Sequence, residues 1–266
     1  MTVADWLPGG TTVDGLSVDG LSKAGRILFG VGITLFGLLY LFHAGAGGPA
    51  PGPPWTAETG TLAWLIGAGF VVAGVCIVSR RWAGLASALL GAALVLWVLF
   101  AYLPGVFEHP RNPGPWTSGA EVLALGAAAL VLAGGLDALP AMRWEGLVVA
   151  GRLLFAAALV VFGVQHFLYA KFVATLVPAW IRGHLFCAYF AGVSFLAAGL
   201  SIALKIQAHL AAALLGLMFL LWVVMLHAPR VVGAVHNGNE WTSAFVALSM
   251  CGGSFVLAGA LRQGNH

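Results

Sequence analysis

Eight stretches of this sequence stay apolar for about 20 residues at a time, the length a helix needs to cross a bilayer core. They run over 24–43, 61–79, 82–103, 118–137, 147–169, 186–204, 208–228 and 242–261. In lipid the backbone has no water to bond, so a crossing segment must be a helix or part of a closed β-barrel. The runs are continuous and do not alternate every second residue, which excludes the barrel. A water-soluble globule is excluded by composition. Of the 266 residues 61% are hydrophobic and 8% charged, too few polar groups to clothe a surface. The expected fold is all-α integral membrane, with eight transmembrane helices and the lipid bilayer as first partner. A net charge of +3, scattered without any Lys/Arg cluster, gives nucleic acid nothing to bind.

The first 22 residues are polar and Gly-rich and carry Asp5, Asp14 and Asp19, unlike a cleaved signal. Placing the N-terminus in the cytoplasm leaves eight basic residues inside: Lys23, Arg26, Arg80, Arg81, Arg143, Arg152, Lys205 and Arg262. Four lie outside: Arg111, Lys171, Arg182 and Arg230. This bias predicts a multi-pass protein of the cell's inner (plasma) membrane with both termini cytoplasmic.

The chain is also internally duplicated. Gly25-Arg26 and Phe36-Gly37 recur 126 residues later as Gly151-Arg152 and Phe162-Gly163. From Pro53 to Gly134 the offset is 125, with 29 identities over 82 ungapped positions. Rare and polar residues carry the match: Trp97/Trp222, Pro104/Pro229, Asn112/Asn237 and Trp116-Thr117-Ser118 against Trp241-Thr242-Ser243. Each repeat holds four spans, so both enter from the same side and run parallel. The expected organisation is a cytoplasmic tail (1–23), two four-helix repeats (24–138 and 150–262) packed side by side, and a cytoplasmic linker (139–149). Repeated small residues such as Gly67/Gly192, Gly74/Gly199 and Gly91/Gly216 suit close helix packing in lipid.

Cys76, Cys187 and Cys251 lie in or beside spans and form no C-x-x-C, so dithiol exchange has no support. Phosphate-loop, H-E-x-x-H and G-x-S-x-G motifs are absent. Glu121, near the outer end of the fourth span, is the only acidic residue within a span apart from Asp137, the last residue of the same span.

Histidines collect on the expected outer side: His43, His109, His166, His184, His227 and His236, against His209 and His266 inside. His166 aligns with Tyr40 and His227 with Tyr102, both within roughly 10 Å of the outer boundary by helical rise. Interfacial anchoring accounts for an isolated His or Tyr. The pair in two apolar runs also suits hydrogen bonding to a quinone or lipid-like ligand, with haem ligation a further alternative. Gln165, Tyr169, Arg230 and His236 would surround that site, which points to the second repeat. Thr117 or Ser118, and Thr242 or Ser243, read as helix caps beside the anchors Trp116 and Trp241. Gly48–Pro54 and Pro104–Pro115 read as constrained outer loops.

The run Gly163-Val164-Gln165-His166-Phe167, then Phe172 and Val177-Pro178-Ala179-Trp180, resembles the DoxX-like family of four-span membrane proteins. Ala191-Gly192-Val193 and Ala197-Ala198-Gly199 match its small-residue second span. Where many relatives place a Glu after that Gly, this chain has Ser194-Phe195 and Gly69-Phe70. The resemblance covers each half and implies a fused pair with a quinone-side or redox-partner role. Three functions remain open: a redox-associated electron-transport subunit binding a quinone, a non-catalytic accessory subunit packed against a larger respiratory or photosynthetic complex, and a transporter or sensor of a hydrophobic solute. The last needs a polar midplane site, for which the spans offer almost no side chains.

Overall fold

The computed structural model describes residues 18–45, 60–136 and 145–263. Among these the chain is helical without strands, and eight helices are long and apolar enough to cross a membrane. They are α1 (Val18–Gly45), α2 (Gly60–Ser79), α3 (Ala83–Glu108), α4 (Pro113–Gly135), α5 (Glu145–Leu168), α6 (His184–Leu204), α7 (Ala208–Gly233) and α8 (Gly238–Gln263). A short helix, Ala170–Leu176, follows α5. The helix α1 starts inside the expected tail, and α5 starts inside the expected linker. Residues 1–17, the Pro-rich stretch 48–54 and most of the linker lie outside the described residues.

Two helices run past prolines by the same device. Val98–Tyr102 in α3 and Val223–His227 in α7 are π turns, in which Leu103 and Ala228 donate to the carbonyls of Val98 and Val223, five residues back. Pro104 and Pro229 follow directly. A proline offers no N–H, and its ring pushes on the carbonyl four residues earlier. The widened turn absorbs both effects, and the helix continues. Pro104–Pro115, expected as a loop, is therefore helix except around His109–Asn112.

The expected hydroxyl caps are also displaced, because Pro113 at the first helical position starts α4 earlier. Asn112 Oδ1 accepts from the Gly114 amide at 3.0 Å, and Asn237 Oδ1 from the Asn239 amide at 3.0 Å. Thr242 sits inside α8 and donates to the Gly238 carbonyl at 2.9 Å. Trp116 and Trp241 tie down the preceding turns by donating to Pro110 O (3.0 Å) and Val235 O (2.9 Å).

The halves do not close as separate bundles set side by side. The two most extensive interfaces of α1 are with α8 and α2, and those of α5 are with α4 and α6; α1 scarcely meets α4, nor α5 α8. Small residues make this exchange possible. A Cβ added to Gly252 would lie 2.2 Å from the Phe29 amide nitrogen, and one on Gly151 would lie 2.5 Å from the Ala127 carbonyl. The helices α4 and α8 meet where Gly253 faces Ala128, and they are the most enclosed of the eight. Two close crossings recur in both halves: Gly37 on Gly67 matches Gly163 on Gly192, and Gly30 with Gly74 matches Ala156 with Gly199. The result is two five-helix rings, α1-α2-α3-α4-α8 and α5-α6-α7-α8-α4, with α4 and α8 common to both.

Candidate functional site

The residues singled out from the sequence fall into three groups. His166 and His227 line the second ring. The His166 imidazole has Nδ1 2.8 Å from the Phe162 carbonyl, stacks on Trp222 at 6.4 Å and meets the edge of Phe195 at 5.1 Å. His227 closes the π turn of α7, and its Nδ1 is buried without a hydrogen-bond partner among the described residues. Arg230 donates to Glu240 Oε1 at 2.9 Å, while Glu240 Oε2 is buried and has no hydrogen-bond partner among the described residues. Gln165 and Tyr169 serve a different purpose. They fasten the α3–α4 turn: Tyr169 donates to Arg111 O at 3.2 Å and Gln165 to Pro113 O at 3.2 Å. The Thr117 hydroxyl sits between Pro113 O (2.9 Å) and Gln165 Oε1 (3.0 Å). His236 is exposed in the α7–α8 turn and is not part of the ring.

The interior of the second ring is occupied by rings. Phe195 contacts Phe162 (5.5 Å), His166 (5.1 Å), Phe219 (5.8 Å) and Trp222 (5.8 Å). In the first ring the same place holds a cavity of about 120 Å³. Its walls come from all five helices: Ile33, Phe36 and Tyr40 of α1, Phe70 of α2, Leu94, Trp97 and Tyr102 of α3, Ser118, Glu121, Val122 and Leu125 of α4, and Thr242 and Val246 of α8. The polar members lie toward one end of the bundle, where α1 and α3 finish and α4 and α8 begin. Ile33, Leu94, Leu125 and Val246 lie one to two turns deeper, which gives a polar roof over an apolar floor.

Tyr40 is 3% exposed and wedged against Phe36 (5.2 Å) and Phe70 (5.8 Å). Tyr102 is placed by the π turn, within electrostatic reach of Tyr40 and of Glu121. No hydrogen bond among the described residues engages the Tyr40 or Tyr102 hydroxyl or the Glu121 carboxyl. Two phenols and a carboxyl thus converge on one chamber with bonding capacity to spare.

Sequence comparison of the repeats had marked these positions, because Tyr40 and Tyr102 are the counterparts of His166 and His227. The missed signal was Leu94, which aligns with Phe219: a smaller side chain lines the first chamber where a ring packs in the second. Glu121, aligned with Val246, was visible as an acid set more than one turn inside a span. Among the described residues no three His, Cys, Asp or Glu side chains gather as a metal site requires.

No protein-family model, curated protein or solved structure matches this chain.

Proposed function

We propose that the protein is a fused tandem of two parallel DoxX-like four-helix units, and that it binds the ring of a quinone or a similar lipid-like molecule in its first chamber. One observation carries this reading: Tyr40, Tyr102 and Glu121 converge, without intramolecular partners, over an apolar cavity of about 120 Å³. A cavity of about 150 Å³ admits a benzene ring, so at about 120 Å³ the space takes a six-membered headgroup once its side-chain walls move slightly apart. Quinone carbonyls accept hydrogen bonds, which the phenols donate, and a carboxyl beside them can hold or release a proton. In the second chamber His166 and His227 are the equivalent donors, but a ligand there must displace the Phe219 ring. We place the chamber at the outer side of the inner membrane, and the role as that of a redox-associated subunit.

The test is solvent extraction and mass spectrometry of the protein purified in mild detergent, beside a Tyr40→Phe/Tyr102→Phe variant. Two lost hydrogen bonds of about 1 kcal/mol each weaken retention roughly 30-fold. A ring-bearing lipid held by wild type and depleted from the variant supports the reading. Wild-type protein without such a compound, and without thermal response to a short-chain quinone, refutes it and leaves the accessory-subunit role.

A further inference from the structure

The opposite end of the molecule carries a second duplicated arrangement. Arg26 and Arg152 are buried, 7% and 8% exposed, and each faces the end of the next helix. Arg26 Nη1 donates to the carbonyls of Ile77 and Val78, the latter at 2.7 Å; Arg152 Nη1 donates to Ile202 at 2.8 Å and to Ala203. These bonds satisfy the negative C-terminal ends of α2 and α6. They use one nitrogen of each guanidinium, and Arg152 Nε is buried without a partner. No carboxylate among the described residues pairs with either arginine.

The turns that follow are alike as well. Arg80 and Trp82 adopt left-handed backbone at φ 62° and 61°, and Lys205 and Gln207 do so at 58° and 50°. Each turn thus carries a basic residue three positions before the next helix, Arg80 before Ala83 and Lys205 before Ala208, and Arg80 lies within electrostatic reach of Arg26. The helices α3 and α7 begin there without a side-chain cap, so their first amides remain free to donate. Basic groups and helix N-termini without a side-chain cap are the components from which anion sites at helix ends are built. Beside each turn, the α2–α3 and α6–α7 contacts are looser than the other contacts between consecutive spans within a half. The exposed pairs Val75/Leu89 and Leu200/Leu214 offer apolar tracks leading away from it.

We propose that these are two sites for the phosphate of an anionic glycerophospholipid, one per half, with the acyl chains lying along the α2–α3 and α6–α7 grooves. Membrane proteins use such basic pockets between helices to hold anionic headgroups. The sites lie across the bilayer from the ring chamber, so they stand or fall independently of it.

The experiment is native mass spectrometry of the full chain from micelles holding phosphatidylglycerol and phosphatidylcholine in equal amounts. The comparison is Arg80→Gln/Lys205→Gln, which changes exposed side chains only, with melting by tryptophan fluorescence to verify folding. Wild type should retain two phosphatidylglycerol molecules in preference to phosphatidylcholine, and the variant's preference should fall about fivefold per site. Equal retention of the two lipids by wild type, or an unchanged preference in the folded variant, overturns the proposal. Saturating inorganic phosphate separates the sources. Phosphatidylglycerol retained in its presence supports the lipid site, and phosphate bound in its place reassigns the sites to free phosphate.

Discussion

Replacing Leu94 by Phe should turn the first chamber into a copy of the second. Leu94 is 4% exposed and lines the cavity, while Phe219 at the aligned position lies 5.8 Å from Phe195 and 5.7 Å from Trp222. A closed void of 120 Å³ would cost about 3 kcal/mol at about 24 cal/mol per Å³, and this cavity, which is partly open, costs less. The added ring carbons recover part of that and gain aromatic contact with Phe70 and Trp97, together about 1 kcal/mol. Ligand-free Leu94→Phe protein should therefore melt roughly 2–4 °C above wild type. Ligand reverses the order. At 100 times Kd a bound quinone stabilises wild type by about 2.7 kcal/mol, roughly 5–11 °C, whereas the variant has no room for it. Ten tryptophans make intrinsic fluorescence a sufficient probe for melting in detergent with a short-chain quinone titrated in. A variant that responds to the quinone as wild type does would show that the chamber is not the binding site. A ligand-free variant that melts below wild type would show that the cavity cannot take a ring.

Two further outcomes test the fold. In Gly252→Ala the new Cβ meets the Phe29 backbone at 2.2 Å where 3.4 Å is ordinary contact, so α1 and α8 must part by about 1.2 Å. That costs about 3 kcal/mol and lowers the melting temperature by roughly 6–12 °C, while Gly69→Ala, with nothing within 4 Å, should be neutral or slightly stabilising; equal effects would refute the close crossing. Because α1 rests on α8 and α5 on α4, residues 1–140 expressed alone should form a homodimer in which each α1 rests on the partner's α4, and a stable folded monomer in size-exclusion light scattering would contradict the exchange.

The spans and the duplication were legible because each depends on a local or self-referential pattern: apolar length for α1–α8, and repeated Trp, Asn and Pro residues for the repeats. Partner choice was not. Gly25, Gly151 and Gly252 announce helix faces made for close approach, but a face does not say which helix covers it. That is why α1 on α8 and α5 on α4 emerged only in three dimensions. The π turns were hidden for a related reason, since Pro104 and Pro229 read as helix ends unless the preceding turn is seen to widen. The site was half legible. Aligning Tyr40 with His166 and Tyr102 with His227 found the two walls, and an emphasis on imidazole chemistry favoured the second half. A third position also separates the halves, Leu94 in the cavity wall against Phe219 among the packed rings, and there both residues are apolar and a hydropathy comparison registers nothing.

The differences between the halves fall in a pattern with a physical meaning. Positions that hold helices together are the same or nearly so: Arg26 and Arg152 bond equivalent carbonyls, and Gly37–Gly67 and Gly163–Gly192 make equivalent crossings. Three aromatic walls also match, Phe36/Phe162, Phe70/Phe195 and Trp97/Trp222. What changes is what faces the interior: Tyr40 to His166, Tyr102 to His227 and Leu94 to Phe219. A frame set by backbone-to-backbone contact tolerates little, because an added methyl collides with main chain. Side chains facing a chamber can change without moving any helix. One scaffold therefore supports an open chamber with two phenols and a carboxyl, and a filled one with two imidazoles. The reciprocal substitution follows: Phe219→Leu should open the second chamber over His166 and His227 while leaving the first as it is. If the variant then retains a ring-bearing lipid that wild type holds only once per chain, both chambers share the same binding capacity and side-chain volume alone selects between them.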